Sequence, residues 1–173
     1  MNSVRGATTT PDSAAAQVIA GLRSRGLTLA VAESLTGGLL TADLVGVPGA
    51  SAVLLGGVVA YSTALKHSVL GVDALLLAAE GPVHPLVAEQ MARGVRTALA
   101  VDGRAADVGI STTGVAGPGP QDGTPAGTVY LGFAVGEKVT SVRLQLDGDR
   151  AHIRSAVVSE SLTRLVALLA DPR

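Results

Sequence analysis

A short apolar run, a tight turn and an apolar helical segment follow one another between residues 27 and 45. Leu27–Ala32 predicts a buried strand, residues 33–38 (Glu-Ser-Leu-Thr-Gly-Gly) predict a turn, and Leu39–Val45 predicts a helix. This succession is typical of α/β proteins, in which ligands bind beyond the carboxyl ends of the strands. We therefore expect a sheet covered by helices, with residues 33–38 as a candidate site.

The remaining segments alternate between helical and strand patterns. Further strands are predicted over 53–61, 107–113, 128–135 and 139–146, and helices over 14–24, 62–71, 73–80, 85–100 and 149–170. Residues 114–127 hold five Gly and three Pro, which predicts a loop. We predict an α/β fold, a layered α/β/α domain with a mixed central sheet flanked by helices. It occupies residues 12–173 as a single domain, after a disordered tail over residues 1–11.

The composition excludes several classes of function. The chain has no cysteine, which excludes disulfides, thiolate catalysis and cysteine-ligated metals. Its three histidines have no metal-binding spacing, so no metal site is expected. A formal net charge of −1 and an aromatic content of 2% argue against a nucleic-acid partner. The apolar runs are shorter than the ~20 residues that span a bilayer, and no signal peptide stands out. No membrane contact and a cytoplasmic location are expected.

Ser34 stands in the turn that follows the first predicted strand. Backbone N–H groups that open the next helix can bind a phosphate or stabilise an oxyanion, and a serine beside them can act as a nucleophile. The alternative is that Ser34 or Thr36 caps the helix and that the glycines only make the turn. The spacing alone favours the cap. The neighbouring Glu33 can orient the turn or meet a cationic ring.

Tyr61 ends a predicted strand, and Lys66 follows it five residues later. Lysine occurs at two positions only, 66 and 138. A lysine acts as a base only when burial or a neighbouring cation keeps it partly neutral, and arginine cannot replace it. A proton relay through Tyr61 and Lys66 is one interpretation. These residues alone favour the other, which is a half-buried tyrosine and a solvated lysine.

Two further segments place polar groups next to glycine. Three hydroxyl residues, 111–113, lead into the loop 114–127, which either approaches a ligand closely or is an ordinary surface loop. Arg150 lies in the first turn of the last predicted helix, where its positive charge opposes the helix dipole. A bound phosphate would compensate for that charge, and a salt bridge to Asp147 or Asp149 would do so equally well.

Taken together and in order, these motifs resemble the CinA C-terminal domain family over about residues 12–170. Each motif is weak alone, whereas the ordered set is specific. The motifs are Ala32-Glu33-Ser34-x-Thr36-Gly37-Gly38, Gly49-x-Ser51, Tyr61-Ser62-x-x-x-Lys66, Thr113-Gly114-x-Ala116-Gly117-Pro118, Gly127-Thr128-Val129 and Gly148-Asp149-Arg150. The chain is similar to the stand-alone version of this domain, without the molybdopterin-binding-like domain of the fused forms.

The resemblance implies hydrolysis of the carboxamide of nicotinamide mononucleotide (NMN) to nicotinate mononucleotide and ammonia, as part of NAD salvage. Ser34 matches the nucleophile, and Lys66 and Tyr61 match the residues that activate it and move protons. Positions that line the substrate site are matched by Ser51, Thr113 and Arg150. The family implies a small-molecule nucleotide substrate, no metal or organic cofactor, and a homodimer or higher oligomer.

This chemistry can be assigned to the residues in more detail. A neutral Lys66 would take the proton of Ser34, as in the serine–lysine form of the catalytic triad. The N–H groups of Thr36, Gly37 and Gly38 are expected to hold the oxyanion. Arg150 and the loop from Thr113 to Gly117 are expected to bind the phosphate. Because one turn cannot bind both anions, the opposite assignment stays open.

The sequence departs from the family pattern at two positions. Leu35 replaces a common cysteine, from which we expect only a packing change, and His84 replaces the serine of the usual Gly-Ala-Val-Ser. A changed pocket at His84 would alter substrate preference or activity. Two alternatives to NMN hydrolysis therefore stay open: a non-catalytic binding or regulatory module, and an amidase for another small amide.

Overall fold

A computed structural model describes residues 13–170, so the tail predicted for residues 1–11 lies outside the described part. The described residues form five strands, β1 (Leu29–Glu33), β2 (Leu54–Val59), β3 (Val108–Gly114), β4 (Thr128–Val135) and β5 (Lys138–Gln145). They also form six α-helices, α1 (Ala14–Arg25), α2 (Leu39–Val45), α3 (Thr63–Ser68), α4 (Ala74–Glu80), α5 (Pro85–Ala98) and α6 (Arg150–Ala170). Each lies where the sequence predicts it, with ends shifted by up to three residues.

The helix ends follow from local chemistry. The Ser13 side chain accepts a hydrogen bond from the N–H of Ala16 and begins α1. Gly26, with φ of 63°, ends α1 in the left-handed conformation that glycine adopts without a steric penalty. Asp149 caps α6 by accepting from the N–H of His152 at 2.8 Å. These signals lie within a few residues of each end, which is why the sequence predicts the helices well.

The strands form one mixed sheet in the order β2-β1-β3-β4-β5. The first three are parallel, and β4 and β5 are added antiparallel at one side. Glu33 at the end of β1 pairs with Val59 of β2 and with Thr112 of β3. The chain segments that follow these residues therefore leave the sheet together at one edge, where α/β proteins bind ligands.

Helices cover both faces of the sheet, which confirms the layered α/β/α prediction. Leu29 and Val31 of β1 point to one face and pack in a core with α1, α2 and α6. Ala30 and Ala32 point to the other face and pack in a core with α5. In the described part of the chain, no helix has both the length and the apolar character needed to cross a membrane.

Small residues on the second face let α5 approach the sheet closely. The Ser111 hydroxyl donates to the carbonyl oxygen of Ala88 at 2.6 Å. A Cβ atom placed on Gly132 would lie 2.1 Å from that same carbonyl oxygen, and one on Gly109 would lie 1.9 Å from that of Ala92. Each added Cβ atom would overlap with a backbone carbonyl oxygen of α5, so rotation of a side chain could not relieve the clash.

We expect Gly109→Ala to lower the free energy of unfolding by about 3 kcal/mol, because the added methyl group forces α5 away from the sheet. The change is measured by urea denaturation. Gly119→Ala is the matched control, since no heavy atom lies within 4 Å of a Cβ there, and it should leave stability unchanged. Equal stability of the two variants would contradict this account of the packing between α5 and the sheet.

Candidate active site

The turn after β1 places Ser34 at the carboxyl edge of the sheet. Its N–H donates to the carbonyl oxygen of Thr112 at 2.9 Å, which continues the parallel pairing of β1 with β3. The hydroxyls of Thr36 and Thr112 lie 2.8 Å apart and join the same two segments. Ser34 is therefore anchored through its backbone, and its side chain does not cap the helix α2.

Glu33 holds the first turn of α2. Its fully buried carboxylate accepts from the N–H groups of Gly38 at 2.9 Å, Leu40 at 3.1 Å and Thr41 at 2.8 Å, and from the Thr41 hydroxyl at 2.6 Å. Of the two roles expected for Glu33, the structure supports orientation of the turn. Four hydrogen bonds compensate for the cost of burying this carboxylate, and they fix the geometry on which Ser34 depends.

Arg154 of α6 holds the same turn from another side. Its guanidinium donates to the carbonyl oxygens of Leu35 at 2.9 Å and Thr36 at 2.7 Å. Sequence reasoning did not find this residue. The available signal was its position four residues after Arg150, which puts the two arginines on one face of the helix.

The hydrogen bonds of this turn decide which N–H groups are free. The N–H of Gly37 donates to the carbonyl oxygen of Ser34 at 3.1 Å, and that of Gly38 donates to Glu33. Within residues 13–170, the N–H groups of Leu35 and Thr36 have no hydrogen-bond partner. The expectation that Gly37 and Gly38 hold an oxyanion is therefore corrected, and the unpaired donors of the turn are the N–H groups of Leu35 and Thr36.

Lys66 meets Ser34 although 32 positions separate them in the sequence. The Nζ atom of Lys66 lies 3.0 Å from the Ser34 Oγ atom and donates to the carbonyl oxygen of Ala60 at 2.8 Å. The Lys66 side chain is 1% exposed, so the solvated lysine favoured by the sequence alone is wrong. Burial penalises the charged amine and lowers the pKa of Lys66 from 10.5 to about 8. At pH 7 about a tenth of the molecules therefore carry the neutral amine that can act as a base.

A cavity of about 360 Å³ opens above this pair. Its volume is within the range of small-molecule sites. Its walls come from the turn after β1, from α3, from the segment before α5, and from the glycine- and proline-rich loop. Six of the predicted site residues line it, and they are Ser34, Tyr61, Lys66, Thr113, Gly117 and, at the start of α6, Arg150.

Arg150 ties the loop to the opposite wall of the cavity. Its guanidinium donates to the carbonyl oxygen of Gly117 at 2.9 Å and to the Tyr61 hydroxyl at 3.1 Å. Arg150 forms no salt bridge to Asp147 or Asp149, and the ion pair found within residues 13–170 joins Arg164 to Glu160. The Arg150 charge is thus available to an anionic ligand at the cavity wall.

Tyr61 is not the half-buried strand residue that the sequence alone favoured. It follows β2 and is 62% exposed. In the described part of the chain, its hydroxyl bonds to Arg150 and has no hydrogen bond to Ser34 or Lys66. The proton relay through Tyr61 and Lys66 is therefore not formed in this structure.

The other predicted substrate-binding residues lie outside the cavity. The Thr36 side chain is buried with its hydroxyl against that of Thr112, and Gly37 faces Arg154, where a Cβ atom would lie 3.3 Å from the guanidinium. Ser51 belongs to a single 3-10 turn, Ala50–Ala52, before β2 and lines a separate groove with the end of α2. Because the strands are parallel, this turn lies at the opposite edge of the sheet from Ser34.

His84 has a structural role in this chain. Its Nδ1 atom accepts from the N–H of Leu86 at 3.3 Å and caps α5. His84 does not line the cavity, although its neighbours Pro82 and Val83 do. No group of three or more metal-ligating side chains is found within residues 13–170.

Comparison with known proteins identifies the family. A family model of the CinA C-terminal domain matches residues 11–169. The chain belongs to the CinA family. A CinA-like protein of Frankia casuarinae is 47% identical over 159 residues, which are 92% of this chain and 36% of that protein. The chain thus spans about a third of the length of the curated relatives it matches.

Solved CinA structures share the whole fold. A competence-damaged protein (CinA) superfamily protein of Klebsiella pneumoniae is 34% identical, with a TM-score of 0.85 over 91% of this chain and 96% of that one. A protein of the same superfamily from Enterobacter cloacae is 32% identical, with a TM-score of 0.86 over 98% of each chain. These names record membership of the CinA family and an association with competence and damage, and they state no reaction.

Proposed function

We propose that this CinA domain hydrolyses the carboxamide of nicotinamide mononucleotide to nicotinate mononucleotide and ammonia, and so contributes to NAD salvage. The observation that carries the proposal is the buried Lys66 amine, 3.0 Å from the Ser34 hydroxyl at the floor of the cavity. A serine hydroxyl attacks an amide only when a base removes its proton, and a desolvated lysine supplies that base.

In the first step, Oγ of Ser34 forms a bond to the carboxamide carbon of NMN while its proton passes to Nζ of Lys66. The negative charge that develops on the carboxamide oxygen is stabilised by the N–H group of Leu35, which lines the cavity, and by that of the adjoining Thr36; both are without partners within residues 13–170. Each such donor is commonly worth about 3 kcal/mol in the transition state. Before it takes the Ser34 proton, the neutral amine of Lys66 has two N–H bonds, and one of them donates to the carbonyl oxygen of Ala60.

In the second step, the carbon–nitrogen bond breaks and the amide nitrogen takes the proton from the Lys66 ammonium, which releases ammonia and leaves an ester on Ser34. A water molecule then attacks this ester with Lys66 again as the base. The products are nicotinate mononucleotide and free Ser34, so one water is consumed and one ammonia is formed. All of these proton transfers use the single buried amine.

We place the substrate phosphate against Arg150. Its guanidinium lines the cavity and carries a positive charge without an ion-pair partner in the described residues. The N–H groups of Ala116, Gly117 and Gly119 in the adjoining loop likewise have no hydrogen-bond partner within residues 13–170. Tyr61 bonds to Arg150, and this contact supports a role for Tyr61 in holding the phosphate site. A homodimer or higher oligomer remains part of the proposal.

The test measures ammonia and nicotinate mononucleotide after incubation of the protein with NMN, and with nicotinamide as a substrate that has no phosphate. We expect turnover of NMN and a far lower rate with nicotinamide. Arg150→Ala should raise KM for NMN by about 10- to 100-fold, because it removes a charged hydrogen bond. Arg93→Ala, which changes an exposed arginine of α5, should leave KM unchanged.

Two results would contradict the proposal. Saturable binding of NMN without release of ammonia would indicate a binding or regulatory module. Similar rates for NMN and nicotinamide, both unaffected by Arg150→Ala, would indicate an amidase for another small amide.

A further inference from the structure

The proposed mechanism uses the turn after Ser34, but it gives no role to Arg154, the cation that holds this turn. One guanidinium, that of Arg154, binds two successive carbonyl oxygens through two different nitrogen atoms, Nε to Leu35 and Nη2 to Thr36. Arg154 is partly buried and does not line the cavity, and both of these bonds go to the turn. Its fork-shaped group fixes the orientation of both peptide units more strictly than a single donor could.

The geometry of the peptide bond transmits this orientation to the donors. A trans peptide is planar, so its C=O and N–H point in opposite directions. A carbonyl of Leu35 that faces Arg154 turns the N–H of Thr36 away from Arg154. In the same way, the carbonyl of Thr36 faces Arg154 and the N–H of Gly37 points away from it. That N–H donates to the carbonyl oxygen of Ser34 at 3.1 Å. The N–H of Thr36 is left without a partner in the described part of the chain.

The charge of Arg154 also acts on these peptides. Within residues 13–170, no carboxylate forms an ion pair with Arg154, so the turn carbonyls receive its charged hydrogen bonds. A cation at a carbonyl oxygen withdraws electron density from the peptide, and linked hydrogen bonds strengthen one another in this way. The N–H of Thr36, which belongs to the peptide bound at Leu35, becomes a stronger donor to a developing negative charge.

We infer that Arg154 is a positioning residue for the acyl-transfer step: it holds and polarises the turn that carries the oxyanion donors next to Ser34. Glu33 fixes the start of α2 through N–H groups, and Arg154 fixes the preceding residues through carbonyl oxygens. The inference rests on nucleophilic attack by Ser34, which belongs to the proposed function, but it does not depend on NMN being the substrate.

The experiment compares Arg154→Ala and Arg154→Lys with wild type in two assays. The first is steady-state hydrolysis of NMN. The second is labelling of Ser34 by phenylmethanesulfonyl fluoride, followed by mass spectrometry. In that reaction Oγ bonds to sulfur, the sulfur–fluorine bond breaks, fluoride leaves and the proton goes to Lys66. Negative charge develops on the sulfonyl oxygens, so the labelling rate also reports the oxyanion donors.

We expect Arg154→Ala to lower kcat by about 100-fold with KM within threefold of wild type, and to slow labelling similarly. Added guanidinium ion at millimolar concentration should restore part of both rates to Arg154→Ala. Arg154→Lys should give intermediate rates, because an amine on a flexible chain cannot reproduce the fork. Arg164→Ala is the matched control, since Arg164 lies on the same helix and pairs with Glu160 away from the site.

Labelling of Arg154→Ala at the wild-type rate would overturn the inference, and so would a rise in KM alone. If circular dichroism shows that Arg154→Ala is unfolded, Arg154→Lys decides, and wild-type rates in that variant overturn the inference. A wild-type protein that is labelled at Ser34 but does not hydrolyse NMN would refute the proposed substrate. In that case the labelling rates still test Arg154.

Discussion

Replacing Ser34 by alanine is expected to lower kcat for NMN hydrolysis by at least about 10⁴-fold while NMN still binds. Without the Oγ atom no ester intermediate can form, and only the effect of binding and of the oxyanion donors remains. The turn should keep its shape, because the backbone of Ser34 holds it through the bond to Thr112 at 2.9 Å. The rate is measured by ammonia release and the binding by titration calorimetry.

The matched control for this variant is Ser24→Ala. Ser24 is exposed on α1 and donates only to the carbonyl oxygen of Gly21, one helical turn earlier. It should retain the wild-type rate. Ammonia release by Ser34→Ala at a rate equal to that of Ser24→Ala would remove Ser34 from the mechanism.

The order of helices and strands was predictable because its signals are local. Gly26, Asp149 and the glycines of the first turn act within a few residues of the positions that they terminate or cap. The carboxyl edge of the sheet was predictable as the site for a related reason, since parallel strands bring their ends together whatever their exact register. Ser34 and Thr113 follow from this alone.

The contacts that give the site its chemistry were not predictable, because they join distant segments. The burial of Lys66 depends on the way α3 folds back over Ala60 and Ser34. Its sequence neighbours are those of any surface helix. The involvement of Arg154 depends on the packing of α6 against the turn, 119 residues away from Leu35.

The glycines of the turn also show what the sequence alone does not predict. A glycine pair before a helix correctly predicts a tight turn, but it does not tell which N–H groups stay free. Here a buried carboxylate, Glu33, takes the N–H of Gly38, so the free donors lie earlier in the turn. Similarly, the family motif places Ser51 in the substrate site, whereas the fold puts it at the other edge of the sheet.

Replacing Lys66 by methionine is expected to lower kcat at pH 7 by about 10³- to 10⁴-fold, because no base is left to activate Ser34. Lys66→Arg should be equally inactive, since a guanidinium stays protonated at any pH that the protein tolerates. Lys138→Met is the control, because Lys138 is the only other lysine and is exposed on β5. Retained turnover in Lys66→Arg would exclude Lys66 as the base.

The pH dependence of the wild-type enzyme follows from the same amine. Burial lowers the pKa of Lys66 to about 8, and only its neutral form can accept the Ser34 proton. We expect kcat/KM to rise about tenfold per pH unit below pH 8 and to level off above it. A profile that is flat between pH 6 and 9 would contradict a lysine base.

The burial that makes Lys66 a base also costs stability, and its sign can be tested. The folded pKa of about 8 lies below the ordinary value of 10.5, so the unfolded chain binds more protons between these two values. Stability should therefore rise with pH from about 8 to 10.5, and below pH 8 the buried ammonium costs about 3 kcal/mol. Lys66→Met removes this cost but loses the bond to Ala60, which is worth about 1 kcal/mol.

We therefore expect Lys66→Met to be about 2 kcal/mol more stable than wild type at pH 7, measured by urea denaturation, although it is inactive. Above pH 10.5 this advantage should disappear, since the wild-type amine is then neutral in both states. Lys138→Met should change neither value. A variant less stable than wild type at pH 7 would show that burial does not destabilise the Lys66 ammonium. It would then contradict the lowered pKa on which the role of Lys66 as a base depends.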